Sequence, residues 1–523
     1  MNEDPRPIIE FLNRRDLHEF LGEEAPRGEQ GRISRAQKAF GPWAQRALEQ
    51  LNIREKAKNK VPSLHRRDWL FTQRSLEQCT SEAVARVKSA WLRSHTFTDL
   101  TAGAGVDAFF VAQQNTPTNL AERDPLLHSM IAHNFRHVPQ IRSIARDGLA
   151  FIQPESTGQI QSRTGAGVGA STHNHLTTVA GQGAIDPGLD APASPEAGGL
   201  IVFLPETEQN RAKMDDWKVS GVPAGWNWPE PGLGDTRDSS VEPQIPPNRH
   251  PPGHAAYLDP DRRPGGRRTF SWREAQPNVP ALMPSLCELF DSVWVKSSPM
   301  TDPTASIREW AAHTTDVFAI SWQGELKEIL FRIQKQPGDG CRFHAVHIHE
   351  EPDSSSMAAT TETPAVPRHH VFTRNSTHAK SPLPPAAVPQ AGDLLFEPHG
   401  GLIRLNLSAE FAVEMGFAAI GPHTPYYIVS SGPEFHYRNL PGRLFRVRAV
   451  LPYQPRTLAP QLKAMGIQSA MIASKDFYLS VAELRTTLKI RDGADAYLIF
   501  TTLFGKRPVC MVATRLAAST FKG

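Results

Sequence analysis

The sequence predicts an α/β protein: a mainly parallel β-sheet covered by helices and finished by an antiparallel pair. From Phe97 onward, short apolar strands alternate with helical stretches, the order that a parallel sheet imposes. The first strand runs into a glycine-rich turn, Asp99-Leu100-Thr101-Ala102-Gly103-Ala104-Gly105, ahead of an apolar helix. The last two strands of the run, DVFAISW (316–322) and LKEILFRI (326–333), are separated only by Gln323 to Glu325. That gap is too short for a crossover helix, so the two must pair antiparallel.

In chain order, residues 1–95 read as helices. Ile8, Phe11 and Leu12, then Leu17, Phe20 and Leu21, recur at three- and four-residue steps. Ser75 to Leu92 is expected to be one helix, with Thr80 or Ser81 as a possible cap and Val84, Val87 and Trp91 on one face. The α/β domain is expected over 96–350. It opens with a strand at 97–99, a helix over VDAFFVAQQ, a strand ending at Glu122, a helix from Pro125 to Phe135, and a third strand within Ile141 to Ile152. An insert, 153–254, then breaks the alternation. Roughly a quarter of its residues are Gly or Pro, a composition at which disorder is the expectation. One apolar island, LIVFL (200–204), has strand character. The alternation resumes with AAYLD (255–259), a helix around Pro280 to Phe290 and SVWVKSSP (292–299). A Pro/Ser-rich linker is expected over 351–391, followed by a small α/β unit over 392–523.

The composition narrows the class of protein. The 523 residues carry 57 Lys+Arg against 54 Asp+Glu, a net charge of +3, which excludes a bulk polycation that coats nucleic acid by charge alone. Prolines number 45, well above the usual level of about 5%, and the insert and linker hold many of them. Cys79, Cys287, Cys341 and Cys510 are scattered without CxxC spacing, which suits a reducing compartment. With no signal-like N-terminus and no long apolar run, a cytoplasmic protein without membrane spans is expected. HAVHIH (344–349) has no cysteine cluster beside it, and His347 and His349 would share one strand face with His344 on the other, so no metal is expected.

The glycine turn is the centre of the functional reading. Glycines between a strand and a helix let the backbone approach a ligand and expose helix N-terminal amides. Gly103-x-Gly105-x-x-Ala108 fits the dinucleotide fingerprint formally, and it also fits an S-adenosylmethionine loop. Glu122 would bind ribose hydroxyls in both. Asp99, closing the strand before the glycines, favours S-adenosylmethionine, because it can meet the ammonium of the methionine part. Asp259-Pro260 ends the fourth strand, the place for residues that face a methyl acceptor. The closing antiparallel pair also suits a class I methyltransferase. The dinucleotide oxidoreductase reading stays as a remote alternative.

DLTAGAGVDAFF, AERDPLLHSMIAHN, YLDPDRR, PNV, VKSSPMTD and GELKEIL follow one another in an order that resembles the bacterial class I methyltransferases carrying a C-terminal THUMP-like domain. SLEQCTSEAVARVK upstream, and LLFEPHGGLIR and SVAELRTTLKIRDGADAYLIFTTL downstream, resemble the same family. The resemblance implies a Rossmann-like, seven-stranded sheet with its last strand antiparallel, S-adenosylmethionine as cofactor, and RNA, tRNA or rRNA, as partner. Asp99, Thr101, Gly103, Gly105 and Glu122 would hold the cofactor, and Asp147 would approach its adenine. Asp259 and Pro260 would carry the chemistry, with Arg262, Arg263 and Lys296 binding substrate, although Lys296 could equally pair with Asp302. DPDRR lacks the aromatic that follows the prolines in amine-methylating relatives. Two other readings stay open: a non-catalytic RNA-binding protein on a degenerate scaffold, and a methyltransferase for a protein or small molecule.

Overall fold

The computed structural model describes residues 5–12, 14–22, 29–67, 69–145, 147–148, 152, 200–202, 253–262, 271–310, 313–335, 340–349, 367, 369–375, 383–429, 440–493 and 496–516. Apart from residues 200–202 and 253–254, the expectations for the insert lie outside the described residues, as does that for Arg263.

The N-terminal region is helical, as its periodicity requires. Helices Pro5–Leu12, Arg15–Gly22, Glu29–Phe40 and Ala44–Lys60 bury Phe11, Leu17, Phe20 and Phe40 in one cluster. The single helix expected over Ser75 to Leu92 is two helices, Gln73–Gln78 and Glu82–Leu92. Thr72 caps the first in a reciprocal bond with Ser75. Thr80 caps neither helix, and its hydroxyl donates to Asp107 at 2.8 Å. The break therefore exchanges helix continuity for a buried tertiary bond.

The first sheet is built from β1 (Thr96–Asp99), β2 (Thr118–Ala121), β3 (Ile141–Ala145), β4 (Leu200–Val202), β5 (His254–Leu258), β6 (Ser292–Ser297), β7 (Thr314–Trp322), β8 (Glu325–Gln334), β9 (Arg342–Ile348) and β10 (His369–Asn375). Their order is β10-β9-β7-β8-β6-β5-β1-β2-β3-β4. The run β3-β2-β1-β5-β6 is parallel. β8 lies antiparallel to both β6 and β7, as the short Gln323–Gly324 connection demands.

Ten strands stand where seven were expected. The apolar island supplies β4, antiparallel to β3 at one edge. The stretch expected as a linker supplies β10, whose seven residues pair with β9 from His369↔Ile348 to Asn375↔Arg342. Its Val371 is buried, and the surrounding Pro/Ser composition hides this short alternating segment.

The second sheet contains β11 (Leu394–Pro398), β12 (Ala418–Ala419), β13 (Tyr427–Ile428), β14 (Gly442–Pro452), β15 (Met471–Ser474), β16 (Tyr497–Leu503) and β17 (Arg507–Leu516). It runs β12-β13-β11-β14-β17-β16-β15. Helices Pro455–Ala464 and Val481–Leu488 cover one face through Leu458, Leu462, Leu484 and Leu488, packed on Leu498 and Phe500.

The two sheets share apolar packing. Val317, Ala319, Ile329 and Phe331 of the first belong to the same buried cluster as Leu394, Phe396, Leu402 and Leu444. Gly401 comes so close to β7 that a Cβ there would lie 2.6 Å from the Ala319 carbonyl oxygen. Beside it, His399 Nδ1 lies 2.9 Å from Ser321 Oγ.

Candidate active site

The C-terminal ends of the parallel strands open into a cleft of about 860 Å³. It is lined by Asp99, Thr101, Gly103, Glu122, Asp147, Asp259, Pro260, Arg262 and Lys296, among others. Residues from β1, β5 and β6 and from the loops after β2 and β3 thus converge, because parallel strands end on one side of a sheet and the order in which the chain adds them reverses at β1.

The glycine loop is fixed by main-chain bonds. Leu100 N–H donates to the Tyr257 carbonyl at 2.9 Å, and Ala102 N–H to the Ala121 carbonyl at 2.8 Å. Gly103 has φ +56 and donates its N–H to Glu122 Oε2 at 2.9 Å. The other oxygen, Glu122 Oε1, accepts the Asp124 N–H at 2.9 Å. Gly105 does not line the cleft. With φ +77 it turns the chain into helix Val106–Ala112, and a Cβ there would lie 2.9 Å from Phe135 Cζ and closer still to Cε2.

Asp99 is 2% exposed, and its Oδ1 accepts the Thr101 N–H at 3.0 Å. Burial pushes its carboxyl well above the ordinary value. The Thr101 bond opposes that rise, and the charges of Asp107, Asp259 and Glu122 add to it. Among the described residues, the other buried carboxylates, Glu82, Asp107, Asp316, Glu328 and Glu397, each have a cation within salt-bridge distance, and Asp99 has none. Burial likewise raises Glu122, against the Asp124 and Gly103 N–H bonds.

The acceptor side is more heavily paired. Thr101 Oγ1 accepts the Asp259 N–H at 2.6 Å, which ties the glycine loop to the end of β5. Lys296 does not pair with Asp302. Its ammonium lies 2.6 Å from Asp259 Oδ2, across adjacent parallel strands, while Asp302 caps helix Pro303–Trp310 through the Thr304 and Ala305 N–H groups. Burial works against the Lys296 charge, but Asp259, Glu328 and Asp107 together raise it above its ordinary value. Arg262 stacks on Trp272 at 4.5 Å and donates to Thr301 Oγ1 and Ser297 Oγ. Cys79 also lines the cleft, and burial pushes its thiol up to about 11. It is therefore no thiolate near neutral pH.

One group behind the cleft was missed by sequence reasoning. Lys88 is fully buried, 2.9 Å from Asp107 Oδ1 and 2.7 Å from Glu328 Oε1, and donates to Tyr257 OH at 3.1 Å. Tyr257 OH donates in turn to Asp107 Oδ2 at 2.9 Å. Burial drives Asp107 upward, but Lys88 and then Lys296 outweigh it and hold the carboxyl below its usual range. The signal was present in the sequence: Lys88 interrupts the apolar face shared by Val84 and Trp91. Glu328 lies inside β8 at 3% exposure, while its neighbours Glu325 and Lys327 pair with one another at 2.8 Å.

Residues 442–515, from β14 to β17, match the family described as THUMP domain-like. The tail carries a THUMP-like domain. No curated protein matches the chain in sequence. In three dimensions the chain is similar to a crystal structure from Porphyromonas gingivalis W83 named "putative methyltransferase", with TM-score 0.61 and 17% identity over 99% of this chain and 100% of that chain. At that identity the likeness speaks for the fold alone. Among the described residues, no group of three or more His, Cys, Asp or Glu could hold a metal ion, and no helix is long and apolar enough to cross a membrane.

Proposed function

We propose that the chain is a class I, S-adenosylmethionine-dependent methyltransferase that methylates a base in structured RNA, tRNA or rRNA, docked by its THUMP-like domain. The observation that carries the cofactor assignment is Asp99: a buried carboxylate facing a cleft, with no cation of its own among the described residues. A group held in that state suits a ligand that brings positive charge, and the ammonium of S-adenosylmethionine is such a charge. The cofactor would supply a methyl group on a sulfonium, already a good leaving group.

The chain's own residues would then position and desolvate. Asp99 holds the ammonium, while the loop at Thr101 and Gly103 offers its main chain. Glu122, braced by two N–H groups, presents its remaining lone pairs to ribose hydroxyls, and Asp147 sits where an adenine would lie. Asp259 keeps Oδ1 unpartnered among the described residues while Lys296 holds Oδ2. That free oxygen and the Pro260 carbonyl aim an acceptor group at the methyl. Arg262, locked on Trp272, gives the acceptor mouth a fixed positive charge. The THUMP-like match and the fold likeness to a protein named as a methyltransferase support the RNA-directed reading.

Calorimetry on the purified chain tests the cofactor site. S-adenosylmethionine is expected to bind the wild type and not Asp99→Ala, and equal affinity for both would sink the assignment. Tritium transfer to RNA from a strain lacking the protein, followed by nucleoside mass spectrometry, identifies the product.

A further inference from the structure

We infer that Tyr478 is a stacking platform for an unpaired RNA base, placed at the end of the THUMP-like sheet where β15 and β16 finish and β17 starts. This rests on the RNA reading above and gives it an address. Tyr478 is 69% exposed, far more than any other Phe or Tyr ring in the described tail, and its burial contributes little to the core. Its back face is nonetheless fixed. Phe477 stacks on it with centroids 4.8 Å apart and planes at 22°, and the Tyr453 ring meets it edge-on at 5.9 Å. Phe477 packs in turn on Tyr453 at 5.0 Å and Phe500 at 5.6 Å, both part of the buried cluster of this domain.

The loop that carries the ring is clamped at three points. Lys475 N–H donates to the Phe500 carbonyl at 3.1 Å, the Thr502 hydroxyl to the Asp476 carbonyl at 2.6 Å, and the Ser474 hydroxyl to the Leu479 carbonyl at 2.6 Å. The free face of Tyr478 is thus presented by a rigid base, which lowers the entropic cost of stacking on it.

Charge says what would lie there. The Tyr453 N–H bonds the Pro508 carbonyl at 3.0 Å, which brings the exposed Arg456 and Arg507 to the same end, and the β16–β17 turn adds exposed Lys506. Arg456 and Lys506 have no ion-pair partner among the described residues, and Arg507 Nε donates to the Phe504 carbonyl at 3.3 Å. Opposing carboxylates are few among the described residues. Asp476 is exposed in the loop, Glu483 is tied to Ser480 in a capping box, and Glu397 lies 3.7 Å from Lys475. An exposed ring flanked by free cations offers a π-face for a base and charges for its phosphates, the pairing that single-stranded nucleic acid uses.

The test uses the full chain and a fluorescein-labelled oligoadenylate, read by anisotropy at low salt. Tyr478→Ala is expected to weaken binding about tenfold or more, whereas Tyr478→Phe and Tyr478→Trp stay near wild type because only the ring is needed. Lys506→Ala and Arg456→Ala are expected to weaken binding and reduce its salt dependence. S-adenosylmethionine affinity should be unchanged in each. Wild type and Tyr478→Ala binding equally well would overturn the platform and leave the RNA reading standing. A wild-type chain that binds no oligoadenylate and no tRNA would overturn both.

Discussion

Removing the buried ammonium of Lys88 is the sharpest perturbation of this fold. In Lys88→Met the alkyl stem is kept, so packing changes little, but Asp107 and Glu328 are left facing one another with side chains 9% and 4% exposed. Breaking a buried ion pair from one side costs about 3–5 kcal/mol. The structure also sets a ceiling. Rather than hold two unpaired charges, the site can bind a proton, and keeping a carboxyl of ordinary pKa near 4 protonated at pH 7 costs about 4 kcal/mol. That ceiling falls with pH, to about 2 kcal/mol at pH 5.5. In the variant the folded carboxyl titrates above its unfolded value, so the deficit is largest at high pH and shrinks as pH falls. Thermal melts of both proteins at pH 7 and pH 5.5 measure it. The expected result is a clear loss at pH 7 that is roughly halved at pH 5.5 and largely recovered by adding Glu328→Gln. A variant that melts with wild type at pH 7, or whose deficit ignores pH, would show that Lys88 does not hold this network together.

Two further outcomes follow from other residues. Gly105→Ala should cost about 2 kcal/mol or more, from the left-handed backbone together with the contact on Phe135; adding Phe135→Leu should return the steric share, seen as a partial recovery in melting temperature. His347, depressed to about 3 by burial first and then by His349 and His370, is held neutral in the fold. Its unfolded ring titrates near 6.5, so its contribution is complete above that pH and is lost as pH falls, by about 2 kcal/mol at pH 5. His347→Gln should flatten the melting-temperature profile between pH 7 and pH 5, and an unchanged slope would refute this assignment.

Where contacts are local, the sequence was readable. The glycine turn and the positions of β1 to β3 and β5 to β8 follow from periodicity and breakers, and the antiparallel pairing of β7 and β8 follows from a two-residue gap. Asp99, Glu122, Asp147 and Asp259 come together because each ends, or follows, a strand of one parallel sheet. What could not be read depends on distant partners. β10 is stabilised by the ladder it shares with β9, not by its own composition. The helix break at Thr80 is explained only by Asp107. Lys296 had a candidate partner close in sequence, yet pleating and strand adjacency bring Asp259 nearer. Lys88 needed three elements, the helix before β1, the helix after it and β8, to become a paired charge rather than a solvated one.

The shared core between the two sheets has a mechanical consequence. Gly401 seated on β7, and the common cluster around Val317, Phe331, Phe396 and Leu444, join the two sheets through one continuous core at that seam. A nucleic acid gripped by the tail would therefore be held at a set distance from Asp259. On the proposed RNA-directed reading such a seam would work as a ruler: target choice would depend on how far the modified nucleotide lies from the gripped one, and lengthening the RNA between them would shift the modified position rather than stretch the protein.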